Sequence, residues 1–250
     1  MTTMDSVRRL LLISNSTVHG GGYLDHAEEE IRNLVGSGSR VVFVPFALSD
    51  RRDYAAKAKE RFHAMGLSLT SVHDVSHMVR TVEEADAIFI GGGNTFRLLK
   101  GLQEHHLVDP IRRRVAAGVP YIGSSAGSIV ACPSLKTTKD MPVVQPLSFG
   151  ALSLVPFQIS SHYLDPDPAS THMGETQEER ILQFLEENEE PVVGLREGSM
   201  LRVQDAAITL RGPNAARIFF RGKTPFEAAP GSDVSFLLAA SDAAPVGRIA

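Results

Sequence analysis

The chain has 250 residues, with 25 Lys+Arg against 29 Asp+Glu for a formal net charge of −4, and 43% of its residues are hydrophobic and 22% charged. That composition is ordinary for a globular protein, and the slight acidity argues against a nucleic-acid or anionic-membrane partner, since both call for a basic face. Cys132 is the only cysteine, which excludes an intrachain disulfide and a cysteine-rich metal site.

Along the chain, short apolar runs alternate with amphipathic stretches. Leu10–Ile13 reads as a buried strand; it is too short to span a membrane and no small-residue cleavage site follows it, so the expected address is the cytoplasm. Val41–Val44, Ala87–Ile90, Val119–Ile122 and Pro191–Leu195 read likewise, because four- or five-residue runs rich in Val and Ile and flanked by Gly or Pro suit strands covered on both faces. Helical periodicity marks Asp25–Val35, Tyr54–Met65, Thr95–Gln103, Val108–Ala117 and Thr176–Glu187. Strands alternating with helices of this length predict an α/β fold, a mostly parallel sheet flanked by helices. From about Arg202 the texture turns to short strand-like pieces between Gly and Pro turns, a small β-rich C-terminal extension of the same domain. Residues 1–238 are thus expected to form a single domain, and 239–250 an Ala-rich, frayed tail.

The sharpest chemical signal is Gly123-Ser124-Ser125-Ala126-Gly127, a G-x-S-x-G sequence between a predicted strand and the helical stretch Ser128–Ala131. Small residues on either side of Ser125 let the backbone turn sharply and present the hydroxyl at the carboxyl end of the sheet, and the following helix offers the Ala126 N–H to an oxyanion. Gly91-Gly92-Gly93-Asn94-Thr95 occupies a second strand-to-helix junction, where the Gly92 N–H can supply another oxyanion donor. It matches neither phosphate-loop pattern. Nine histidines are available as the base. His162 ends the strand-like run Val155–Ser161 and can face a cleft there. His73 and His77 lack the glutamate of H-E-x-x-H, so no metal site is expected. His19-Gly20-Gly21-Gly22 imitates the oxyanion loop of some esterases but follows the first strand, too early for that fold, and no histidine follows His172, where those enzymes carry a late one.

Together with the two glycine elements, Ser14–Thr17, Ala131-Cys132-Pro133, Lys136–Pro142, Gly174-Glu175-Thr176 and Gly194–Gly198 resemble, in order, the blocks of peptidase E, the α-aspartyl dipeptidases of serine peptidase family S51. The similarity runs to about Gly222. It implies a flavodoxin-like fold related to class I glutamine amidotransferases, with serine in place of their cysteine, and no cofactor. Cys132 lies seven residues beyond Ser125 and reads as a buried core thiol. By resemblance Ser125 is the nucleophile and His162 the general base. Two acids compete for the third role: Glu197, which the chain order of the amidotransferase relatives favours, and Asp140. Asn94, Thr138, Asp140, Glu175, Gln177 and Arg196 are the implied substrate-binding residues, and a small peptide with N-terminal Asp the implied substrate.

One position departs from the pattern. Peptidase E continues Gly-Glu-Thr with Arg, suited to a bidentate grip on the substrate's carboxylate, whereas this chain has Gln177. Strict aspartyl specificity is therefore in question, and Arg196 and Lys139 are the neighbouring cations, Arg196 being expected to face solvent. A cyanophycinase-like peptidase acting on β-aspartyl links shares the glycine loop and elbow but not the Thr137–Asp140 and Gly174–Thr176 blocks. A non-catalytic member binding a small amino-acid ligand is the rival from another class. A homodimer is the default expectation for an enzyme of this kind.

Overall fold

A computed structural model describes residues 7–171 and 173–239. Of the residues 239–250 expected to form the tail, 240–250 lie outside it. In chain order the elements are β1 (Arg9–Ile13), α1 (Glu28–Val35, entered through a 3-10 turn at Asp25–Ala27), β2 (Arg40–Val44), α2 (Arg51–Ala64), β3 (Ser68–Ser71), α3 (Met78–Glu83), β4 (Ala87–Ile90), α4 (Thr95–Glu104), α5 (Val108–Ala116), β5 (Tyr121–Ser124), α6 (Ala126–Val130), β6 (Gln158–Ser161), α7 (Gln177–Glu187), β7 (Val192–Leu195), β8 (Met200–Gln204), β9 (Ala207–Arg211), β10 (Ala216–Phe219) and β11 (Phe226–Ala228).

These strands form two sheets. The larger runs β3-β2-β4-β5-β1-β8-β9, its first five strands parallel and its last two antiparallel; the smaller runs β11-β10-β7-β6, with β6 and β7 parallel. The parallel α/β arrangement is the expected one. The β-rich C-terminal pieces divide between the sheets: β8 and β9 extend the large one, while β10 and β11 complete the small one. Alternation along each buried strand explains the layering. Leu11 and Ile13 of β1, with Phe43 and Phe89, meet α1 and α2 on one face; Leu10 and Leu12, with Val44 and Ile90, join a core that includes Leu98 of α4, Ile111 of α5, and Ile159 and Val193 of the small sheet. All five residues of α6 are buried, and this helix packs on β1, β4 and β5 on one side and β6 on the other. On the outer face of the small sheet, Ile181 and Leu185 of α7 cover Val192 and Phe219.

Three helix starts are fixed by side-chain caps that satisfy otherwise unpaired N–H groups. Asp50 accepts from the Asp53 N–H and Asn94 from the Arg97 N–H, while Thr176 and Glu179 form a reciprocal capping box. The Gly174-Glu175-Thr176 block therefore has a structural reading: its threonine begins α7.

Candidate active site

Strand register assembles the site. Ile90 pairs with Gly123 and Ile13 with Ser124, so the glycine loop after β4 and the elbow after β5 leave adjacent strand ends. The elbow is tight: Ser125 has φ 52°, its N–H donates to the Ile13 carbonyl at 2.9 Å, and a methyl group added at Gly127 would lie 2.1 Å from the Ile90 carbonyl oxygen. A non-glycine residue held at positive φ costs free energy and persists only where its surroundings enforce it, as they do here. In the small sheet Ser161 pairs with Leu195, so the residues following β6 and β7 also emerge together, and these carry His162 and Glu197.

The three side chains connect in one line. Ser125 Oγ lies 2.9 Å from His162 Nε2, and His162 Nδ1 lies 2.7 Å from Glu197 Oε1. With a carboxylate facing Nδ1, the imidazole keeps its proton on that nitrogen and presents Nε2 as an acceptor toward the serine hydroxyl. His162 is itself at φ 51° and is gripped by its backbone: its N–H donates to Ser14 Oγ at 2.9 Å, and Ser14 Oγ donates to the Leu195 carbonyl at 2.7 Å. The site is half open, the His162 and Glu197 side chains being 39% and 52% exposed.

Of the two oxyanion candidates, Ala126 is the first residue of α6, so its N–H has no partner within the helix. Gly92 approaches Ser125 so closely that an added methyl would lie 3.0 Å from its Cβ. Its N–H is directed at the Tyr54 hydroxyl, a contact that favours the tyrosinate, although burial dominates and raises the Tyr54 pKa. Tyr54 also fills the space under Gly91, where an added methyl would meet its hydroxyl at 2.1 Å. Sequence reading missed this support, since an aromatic on the first turns of α2 carries no sign that it reaches a loop three elements away.

Asp140, the competing acid, sits elsewhere. Its Oδ2 accepts from the Thr95 N–H at 2.7 Å and from Thr95 Oγ1 at 2.5 Å, which places a carboxylate at the start of α4, where the helix dipole and unpaired N–H groups favour one. Thr138 Oγ1 donates to Thr95 Oγ1 in the same cluster, and Asn94 holds the Met141 carbonyl while capping α4. Asp140 thus knits the Lys136–Pro142 segment to the glycine loop instead of touching His162. Glu175 is exposed and bonded to Gln183. Gln177 accepts from the Leu164 N–H and donates weakly, at 3.4 Å, to the His162 carbonyl.

Arg196 does not face solvent as expected. All five of its N–H groups are engaged: Asp165 takes two, Glu227 two, and the Ala215 carbonyl shares Nη1 with Glu227. The guanidinium holds both carboxylates below their ordinary pKa range. Arg217, bridging Glu227 and Glu178, continues the network. A substrate carboxylate would have to break this lattice to reach Arg196. Cys132 is buried, and burial pushes its thiol pKa far up, as befits a core thiol. Among the described residues, no helix is long and apolar enough to cross a membrane, and no group of three or more His, Cys, Asp or Glu is placed to hold a metal ion.

A nucleophile elbow, a glycine loop and a serine–histidine–glutamate line at the carboxyl ends of parallel strands define an α/β serine hydrolase arrangement. The comparisons narrow that class. The model of Peptidase family S51 matches residues 10–211. Peptidase E of Streptomyces coelicolor is 52% identical over 229 residues, covering 92% of this chain and 94% of that one. A Drosophila melanogaster protein named "Probable alpha-aspartyl dipeptidase" is 46% identical over 238 residues, covering 94% and 99%. The crystal structure of a peptidase from an acI-B1 Actinobacterium superposes with a TM-score of 0.71 at 16% identity, covering 92% of this chain and 97% of that one, and so shares the fold. The chain belongs to peptidase family S51 and is a serine-type dipeptidase.

Proposed function

We propose that the enzyme hydrolyses short peptides, by default dipeptides with N-terminal Asp, through an acyl-enzyme on Ser125. The observation that carries this reading is the unbroken line from Ser125 Oγ through His162 to Glu197. Ser125 Oγ attacks the scissile carbonyl carbon as His162 Nε2 accepts the hydroxyl proton. Glu197 orients the imidazole and stabilises the imidazolium that forms. The Ala126 N–H faces the developing oxyanion, and the Gly92 N–H joins it by turning from the Tyr54 hydroxyl. His162 then protonates the departing amine, and a water, deprotonated by the same nitrogen, cleaves the ester and regenerates Ser125. The relative named "Probable alpha-aspartyl dipeptidase" supports Asp as the first residue to try.

The test is a panel of Asp-Leu, Glu-Leu, Asn-Leu, Ala-Leu and Met-Leu with Ser125→Ala as the blank. Cleavage of Asp-Leu well above the others is expected. Cleavage of another member in preference to Asp-Leu would refute the specificity, and wild type indistinguishable from Ser125→Ala on every member would refute the reaction.

A further inference from the structure

We propose that Lys139 is the cation that receives the acidic side chain of the substrate, an inference that rests on the peptidase reading above. Two side chains share one acceptor. Lys139 Nζ donates to the His162 carbonyl at 2.9 Å, and Gln177 Nε2 reaches that same oxygen at 3.4 Å. The ammonium therefore stands beside the Gln177 amide, on the residue that carries the base. Gln177 has no charge to offer, and both ends of its amide are occupied by backbone groups. Arg196 is closed off by Asp165 and Glu227.

Lys139 is different. Only one of the three donors of its ammonium is used by that bond. Among the described residues no carboxylate lies within ion-pair distance of it, whereas the part-buried guanidiniums of Arg61, Arg196 and Arg217 each have one or more. The residue is exposed, and partial burial of the ammonium lowers its pKa, with Arg180 adding to this against the opposing pull of Asp140 and Glu197. An ammonium with donors to spare and no counter-ion can take an incoming carboxylate in a charge-assisted hydrogen bond. The surroundings suit an anion as well. A small pocket lined by Lys136, Lys139, Gln177 and Arg180 opens there; Arg180 is already paired with Glu175 and Lys136 bonded to Asn188, which leaves Lys139 as its cation without a carboxylate or side-chain partner among the described residues.

The experiment compares kcat/KM for Asp-Leu and Asn-Leu, each with a free and an amidated C-terminus, in wild type, Lys139→Met, Lys139→Arg and the double variant Lys139→Met with Gln177→Arg. Loss of a charge-assisted contact is expected to lower the Asp-Leu to Asn-Leu ratio by about tenfold or more in Lys139→Met. Lys139→Arg should retain most of the ratio, and Gln177→Arg should restore it in the double variant, since both positions reach the same carbonyl. The ratio corrects for partial loss of fold, because both substrates report on the same preparation. Equal losses on both substrates would mean that Lys139 only braces His162, and would overturn the proposal. So would an unchanged ratio, a wild type without preference for Asp-Leu, or a loss that vanishes with amidated dipeptides, which would assign the ammonium to the terminal carboxylate. If wild type cuts neither substrate above the Ser125→Ala blank, the peptidase reading itself fails, and that outcome is separate from the others.

Discussion

Two acids compete in the sequence for the place behind His162, and their contacts predict opposite phenotypes. In Glu197→Gln the amide can still accept the Nδ1 proton, so the histidine stays oriented and what disappears is the charge opposite the imidazolium. Unit charges about 4 Å apart interact by roughly 1 kcal/mol in water and roughly 4 kcal/mol at an effective dielectric constant near 20. The pair here is half exposed, at 39% and 52%, and belongs between those limits. About 2 kcal/mol of transition-state stabilisation should be lost, roughly a thirtyfold fall in kcat with little change in KM. Asp140→Asn leaves the imidazole alone but weakens the carboxylate's hold on Thr95 at the start of α4. It should cost about 1 kcal/mol of stability, visible as a lower urea midpoint, with kcat within a few-fold of wild type. Steady-state kinetics on the best dipeptide, paired with urea unfolding, separates the two. If Glu197→Gln kept more than half its kcat while Asp140→Asn lost a hundredfold at unchanged stability, the assignment of the acid would be refuted.

Two further outcomes follow from close contacts elsewhere. Gly127→Ala would drive a methyl group into the Ile90 carbonyl, backbone that cannot step aside; a loss of about 2–3 kcal/mol in urea unfolding is expected, together with low activity as the elbow backs away from the glycine loop, and full activity at an unchanged midpoint would contradict the packing. Arg196→Met should destabilise the fold by about 1–2 kcal/mol at pH 7, because it strands Asp165 and Glu227. Both carboxylates have folded-state pKa values below their unfolded ones, so their contribution is full above the ordinary carboxylate range and fades as pH falls through the lowered values. The gap in stability between wild type and variant should therefore shrink from pH 6 toward pH 3, and a gap that widens on acidification would overturn the network's role.

Much of this was legible in the residues, for identifiable reasons. β1, β2 and β4 are buried on both faces and announce themselves as unbroken apolar runs. β3 does not, because Ser68–Ser71 is a polar edge strand with alternate residues exposed, and α3 is too short, at six residues, to show a period. Val119–Ile122 was displaced by two positions: Pro120 has no N–H to give a ladder, so β5 starts at Tyr121 and runs on into the elbow's own Gly123 and Ser124. The division into two sheets left no trace, since Val192–Leu195 is equally apolar whichever neighbours it pairs with. That Ser125 and His162 are candidates is legible because local context marks both, an elbow for one and a strand end for the other. Which of Glu197 and Asp140 contacts His162 is not legible, as it turns on which strand ends lie side by side. Nor is the engagement of Arg196, whose partners sit 31 residues away on either side.

Ser14 gives the arrangement a mechanical meaning. Its hydroxyl is the one polar stitch described between the end of β1, in the large sheet, and both Leu195 and His162, in the small one. Ser125 follows β5 of the large sheet while His162 and Glu197 follow β6 and β7 of the small one, with the wholly buried α6 wedged between. The contact between Ser125 and His162 thus depends on how the two sheets pack against each other across α6. A slip along that seam would part Ser125 from His162 while leaving every strand and helix intact.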